Sequence, residues 1–216
     1  MKHQYAVIGL GSFGATVALE LTRLGHDVLG IDSDAGRVEY YADQLSQALI
    51  ADGTSDKVIE ELDLPAYDAV VVAIGENLEA SILCTLALKN AKIKQVWVKA
   101  ISEPHHRILS RLGAHRIIHP EHEMGVRVAQ SLVHPEMLDY MSLGNDWLVV
   151  EIKVDERLAD QHVAELPLEQ YNLRLTLVKR GREVWQAPFT DLVLRERDQL
   201  VVLGTLHDLL SFSKQQ

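Results

Sequence analysis

The chain has 216 residues, 47% of them apolar, with one cysteine and a formal net charge of −10. That length allows one large or two modest domains with a buried core. The lone Cys84 excludes an internal disulfide and suits a reducing cytoplasm; the acid excess argues against charge-driven nucleic-acid binding; and no apolar run is long enough to enter and span a bilayer.

Tyr5–Gly9 is a short apolar run ending in glycine, a first strand. Gly14–Leu24 repeats apolar residues at helical spacing through Val17, Ala18, Leu21 and Leu24, and Gly25 is suited to end that helix. Val28–Asp32 reads as a second strand, Asp34 caps a helix to about Ala42, and Ala48–Ala51 is a third strand. Asp56–Leu62 is predicted helical. Ala69–Ile74 is the continuous apolar run of a strand buried on both faces. A helix over Asn77–Lys89, a strand over Val96–Ala100, a helix over Glu103–Leu112 and a strand over Arg116–His119 follow. This alternation implies right-handed βαβ units and a Rossmann-type, doubly wound parallel sheet.

Pro120 then opens a helical crossover connector, predicted from Glu121 to about Met141 with a break near Pro135. After Gly144 the pattern changes to short elements. These are strands over Trp147–Val154, Leu173–Lys179, Val184–Gln186 and Leu200–Gly204, a short helix over Asp160–Leu166 and a terminal helix over Leu206–Phe212. The expected domains are a nucleotide-binding unit at 1–142, with its crossover from about 120, and a small α+β module at 143–216. A module of about 70 residues sits near the lower limit for independent stability, so dimerisation is expected.

Gly9-Leu10-Gly11-Ser12-Phe13-Gly14 lies between the first strand and the first helix, where a dinucleotide fingerprint belongs. Gly9 permits the tight turn, Gly11 lets a pyrophosphate approach the backbone, and Gly14 lets helix and strand pack closely. The helix N-terminus offers free N–H groups and a positive dipole end. Asp32, at the end of the second strand, is placed to accept both ribose hydroxyls and to repel a 2′-phosphate, favouring NAD or an adenosine phosphate over NADP. Its competing role is that of an acid beginning the next helix.

Further candidates sit at the same sheet edge. Asp52, with Thr54, reaches either the adenine and ribose end of the crevice or only its own turn. Ala73, Ile74, Gly75, Glu76 and Asn77 follow the fourth strand, where Asn77 serves as a ligand contact or as a helix cap. Lys99, after the fifth strand, is a phosphate contact or a solvated lysine. His105, His106, His115, His119 and His122 lack metal-ligand spacing. Cys84 reads as a small buried hydrophobe, and Trp97, Trp147 and Trp185 read as packing residues. Met137, Leu138 and Met141 face either a subunit interface or their own domain.

Taken together, these stretches resemble the cytoplasmic potassium-transport regulators of the KtrA and TrkA type, built on an RCK or KTN domain. The resemblance runs through Ala6–Gly14, Asp32, Asp52-Gly53-Thr54, Ala73–Asn77, Val98-Lys99-Ala100 and His119-Pro120-Glu121. It continues through Val178–Gly181, Pro188 and Asp198–Gly204, so it covers essentially the whole chain. One nucleotide domain with one C-terminal module is closer to the KtrA arrangement than to the doubled TrkA. The resemblance implies a homodimer and a homo-octameric ring beneath a membrane potassium-translocating subunit of the KtrB or TrkH type, at the inner face of the plasma membrane. It implies ATP or ADP in the crevice, each favouring a different ring shape, with NAD or NADH as alternatives. It also implies a cation, Mg2+ or Ca2+, at Glu121 on the dimer interface; a carboxylate there equally suits the helix dipole.

The sequence departs from the family at Ser12, where many members carry an arginine associated with the terminal phosphate of ATP. Ser12 brings no positive charge, so a weaker ATP preference is expected unless Lys99, Arg107 or a neighbouring subunit compensates. The reading that follows is a nucleotide-sensing regulatory subunit rather than an enzyme. An NAD-dependent oxidoreductase is the alternative, but the small second module offers no evident catalytic constellation. An NAD-sensing repressor would need a basic recognition helix, and none is visible.

Overall fold

The computed structural model describes residues 1–134, 137–189 and 191–214. The chain divides into two compact units, Met1–Met124 and Gly125–Gln216. In the first, β1 (Gln4–Ile8), β2 (Asp27–Asp32), β3 (Gln47–Ile50), β4 (Ala69–Val72), β5 (Val96–Lys99) and β6 (Arg116–Ile118) form one sheet. All neighbours are parallel, in the order β3-β2-β1-β4-β5-β6. The order reverses between β1 and β4, and such a switch point opens a crevice at the carboxyl ends of the strands.

The period-two alternation of a strand explains how the helices α1 (Ser12–Arg23), α2 (Ala35–Tyr41), α3 (Asp56–Glu61), α4 (Leu78–Asn90) and α5 (Glu103–Leu112) are shared between two faces. Ala6 and Ile8 of β1 pack with Ile59 of α3, Cys84 and Leu88 of α4 and Leu109 of α5. Val7, between them, packs with Ala18 of α1 and Val38 of α2.

Helix α6 (Pro120–Val133) continues from β6. The helix expected to run to about Met141 therefore stops early, and the break assigned to Pro135 lies outside the described residues. Met137–Gly144 is instead a strand, β7, which forms a hairpin with β8 (Trp147–Lys153). Asn145 and Asp146 both take positive φ, 51° and 64°, the conformation of a two-residue hairpin turn whose twist matches its strands. Met137, Leu138 and Met141 imitate a helical repeat, but cross-strand pairing decides the outcome.

In the second unit, β9 (Arg174–Arg180), β10 (Glu183–Gln186) and β11 (Gln199–Thr205) complete an antiparallel sheet, β10-β9-β11-β8-β7, and α7 (Leu206–Lys214) follows. Val150, Val154, Leu173, Val178, Leu200 and Phe212 are central to its core. The short helix expected over Asp160–Leu166 is replaced by two 3-10 turns, Val163–Glu165 and Pro167–Tyr171. Pro167 is the reason: the residue before a proline is pushed out of the helical region, and Leu166 is extended at φ −63° and ψ 131°. Trp147, expected to pack, is exposed. Among the described residues no helix is long and apolar enough to cross a membrane.

Candidate functional site

The three glycines of the turn after β1 occupy three different environments. Gly9 has φ +98° and donates its N–H to the Ile31 carbonyl at 2.7 Å. A Cβ on Gly14 would lie 1.9 Å from the Gly9 carbonyl oxygen, so no side chain fits between α1 and the end of β1. Gly14 sits behind the turn, outside the cavity in front of it. Gly11 differs: a Cβ there would meet nothing closer than Arg37 Nη1 at 3.9 Å. The protein does not require glycine at that position for its own packing. The bare backbone faces a cradle that a ligand could fill. Gly11 is the N-cap of α1, with no capping side chain and no acid in the first turn. The unpaired N–H groups and positive dipole end of α1 therefore remain available to an anion.

Asp32 ends β2 beneath this turn, 7% exposed. Its Oδ2 accepts the Leu10 N–H at 2.6 Å, and its Oδ1 accepts the Asp34 N–H at 2.9 Å. The carboxylate ties the glycine turn to β2, while Asp34 caps α2 by accepting the Arg37 N–H at 2.9 Å. Asp32 is thus not the cap of that helix.

A cavity of about 430 Å³ lies in front. Its lining brings together Gly9, Gly11, Ser12, Phe13, Asp32, Asp52, Thr54, Ala73, Ile74, Gly75, Glu76, Asn77, Lys99 and Glu121, and leaves out Gly14 and Arg107. Several also have structural work. Asp52 accepts both the N–H and the hydroxyl of Thr54, at 2.9 and 2.7 Å. These two bonds outweigh burial and hold its carboxyl below the ordinary aspartate value. Asn77 caps α4 by accepting the Ala80 N–H at 3.0 Å.

Lys99 is the clearest departure from expectation. Of its two alternatives the solvated lysine does not hold: it is 8% exposed and ion-paired with Glu121. Its ammonium lies 5.8 Å from the centre of the Phe13 ring. Burial of Glu121 opposes ionisation, but the Lys99 hydrogen bond, the backbone N–H of Glu121 itself and the Lys99 charge together outweigh it and hold the carboxyl below its ordinary value. Glu121 thus faces an ammonium, and among the described residues no group of three or more His, Cys, Asp or Glu could hold a metal ion. The cation implied for the dimer interface calls for oxygen ligands from two subunits, which a single chain does not supply. Arg107, named as a possible compensating cation, is exposed on α5 and does not line the cavity.

The sequence reading missed Arg37. It enters the cavity from α2, with Nη1 3.6 Å from Asp32 and Nη2 3.5 Å from Glu76. The available signal was its position one helical turn past the Asp34 cap, on the first turn after the Asp32 carboxylate. His106 and His119 join through their rings at 2.8 Å, and His105 is buried. Cys84 lies fully buried in α4.

The TrkA-N domain model matches residues 5–120 and the TrkA-C domain model residues 148–216. The chain is 39% identical to Ktr system potassium uptake protein C of Bacillus subtilis, over 99% of this chain and 97% of that one. It is 37% identical to Ktr system potassium uptake protein A of the same organism, over 98% and 96%. Among solved structures, the GsuK channel matches with a TM-score of 0.67 at 14% identity, covering 99% of this chain and 39% of that one. The GsuK channel bound to NAD matches at 0.57 and 18%, over 99% and 38%.

Proposed function

This chain belongs to the TrkA family of two-domain proteins, and on that premise we propose that it is the regulatory subunit of a potassium-uptake system and senses adenine nucleotides. One observation carries the reading: the buried Asp32 carboxylate and the uncapped N-terminus of α1 share one cavity, with the bare backbone of Gly11 between them. A carboxylate suits ribose hydroxyls, a helix N-terminus suits phosphates, and Asp32 disfavours a 2′-phosphate. The fitting ligands are ATP, ADP, and NAD or NADH, the last pair sharing the same adenosine half. Gly9, Gly11, Ser12, Phe13 and Gly14 form or support the phosphate end, and Asp32 holds the ribose. Asp52, Thr54 and Ala73 to Asn77 wall the remainder, and Lys99 borders the phosphate side.

In this reading the work is done by binding, not by bond chemistry. A nucleotide shifts an assembly between two states only by its differential affinity for them. The assembly is a homodimer built into an octameric ring at the cytoplasmic face of a membrane potassium-translocating subunit of the KtrB or TrkH type. Ser12 supplies no charge toward a terminal phosphate, so the preference for ATP over ADP is weaker than in relatives with arginine there.

Calorimetric titration with ATP, ADP, AMP, NAD and NADH tests the reading. Asp32→Ala also removes the acceptor of the Leu10 N–H, so Asp32→Asn, which retains an acceptor, is measured beside it. ATP and ADP binding to the native chain, lost in Asp32→Ala and weakened in Asp32→Asn while Asp32→Asn stays folded, supports it. Binding of NAD without any adenosine phosphate would overturn the energy-state reading and prompt a search for hydride transfer.

A further inference from the structure

Two cations line the cavity among its described residues, Lys99 and Arg37. They are held very differently. Lys99 is buried and paired with Glu121. Arg37 comes from the opposite side of the crevice, with a side chain 41% exposed, and touches Asp32 at 3.6 Å and Glu76 at 3.5 Å. Both contacts exceed the roughly 2.7–2.9 Å of a charge-assisted hydrogen bond. Glu76 is itself 89% exposed in the loop after β4, and exposed single-contact pairs contribute little. The guanidinium is therefore charged, near at hand and loosely partnered.

Its position is also specific. Leaving aside Gly11 and its chain neighbours, Arg37 Nη1 is the atom nearest to where a Cβ of Gly11 would stand, at 3.9 Å. An anion lying against the Gly11 backbone would thus meet the guanidinium. The first turn of α1 brings no side-chain charge, since Ser12 stands at its start and no acid follows.

We propose that Arg37 reads the phosphate charge of the nucleotide: its guanidinium exchanges the Glu76 carboxylate for ligand phosphates, so affinity rises with phosphate number through Arg37. Glu76 is the competing anion in this exchange and repels the same phosphates. The assignment rests on the adenine-nucleotide reading of the crevice and names the residue that sets its phosphate dependence.

The test is titration of the full chain with adenosine, AMP, ADP and ATP, at low and at raised salt. Native protein is compared with Arg37→Gln, Arg37→Lys and Glu76→Gln, each checked for an unchanged thermal transition. The expected result is that Arg37→Gln weakens ADP and ATP by about tenfold, the scale of one charged hydrogen bond, and leaves adenosine within about twofold. Arg37→Lys retains part of the phosphate dependence, and Glu76→Gln tightens ADP and ATP with a smaller gain for AMP. ADP binding unchanged in Arg37→Gln overturns the proposal. Equal loss for adenosine and ADP also overturns it, because that is the mark of a role in shaping the crevice. A native chain that binds adenosine phosphates with no dependence on phosphate number overturns the role of Arg37 alone. A native chain that binds none of them overturns the nucleotide reading as well.

Discussion

The buried Lys99 ammonium at the end of β5 is ion-paired with Glu121 in the first turn of α6, although β6 separates the two in sequence. Removing Glu121 leaves that ammonium in a poorly hydrated position, a situation costing several kcal/mol when both partners are buried. Glu121 is 67% exposed in its side chain, so solvent screening reduces the expected cost of Glu121→Gln to about 1 kcal/mol. The sign with pH is fixed by the lowered folded value of Glu121. Its stabilisation is present above the unfolded carboxylate range and is lost as pH falls through the lower folded value. Urea midpoints should differ between native and Glu121→Gln protein at pH 7 and converge in acid. Equal midpoints at pH 7 would assign the pair no stabilising role.

Gly11 and Gly14 should separate binding from folding. At Gly14 a methyl group would collide with the Gly9 carbonyl oxygen at 1.9 Å, a backbone atom that cannot swing aside, so Gly14→Ala should cost about 3 kcal/mol. At Gly11 φ is −65° and, beyond its chain neighbours, the atom nearest to an added Cβ is 3.9 Å away. Gly11→Ala should hold stability within about 1 kcal/mol. Its methyl occupies the face offered to a phosphate, so ADP affinity should fall by about tenfold or more. Native-like ADP binding by Gly11→Ala would sink the assignment of that face.

What was legible in the sequence is what chemistry demands of particular residue types. Gly9, Gly14 and Asp32 announce themselves because a tight turn, a close helix approach and a strand-end carboxylate tolerate few alternatives. The alternation of elements through Ile118 gives the parallel sheet for the same reason: its core strands are apolar runs. Arg37 and the burial of Lys99 were not legible, because each depends on which elements fold beside it. Sequence does not place Arg37 beside Glu76, 39 positions on, or bring Glu121 over Lys99. Strand β7 was misread because Met137, Leu138 and Met141 fit a helical repeat, while the turn residues Gly144, Asn145 and Asp146 carried the hairpin signal.

Cys84 should be chemically silent in the folded chain. It is fully buried beneath the Asp52 turn, and burial together with the Asp52 charge pushes its thiol up to about 12. Thiolate is the reactive species, so a disulfide reagent at pH 8 should label the native protein only through unfolding. The labelling rate should rise with denaturant in parallel with loss of the first unit's structure. Fast labelling without denaturant would show that α4 opens locally.

The second unit carries a buried pair of a different kind. Asp198 is 1% exposed and accepts from Arg180 at 2.8 and 2.7 Å and from the Arg195 N–H at 2.8 Å. Arg180 also donates to the Val193 carbonyl at 2.8 Å and lies 5.1 Å from the Trp185 ring centre. Burial opposes ionisation of Asp198, but the Arg180 bonds, the Arg195 amide and the surrounding positive charge win, holding the carboxyl below its ordinary value. Its stabilisation is therefore present at neutral pH and lost as pH falls through that depressed value. Asp198→Asn keeps the shape but removes the counter-charge, and should cost about 3 kcal/mol. Glu169→Gln breaks the exposed pair with Arg174 and should cost under about 0.5 kcal/mol. Denaturant curves followed by tryptophan fluorescence compare the two variants. If Asp198→Asn behaves like Glu169→Gln, the guanidinium is satisfied by Val193 and Trp185 without its carboxylate, and the pair contributes geometry rather than stability.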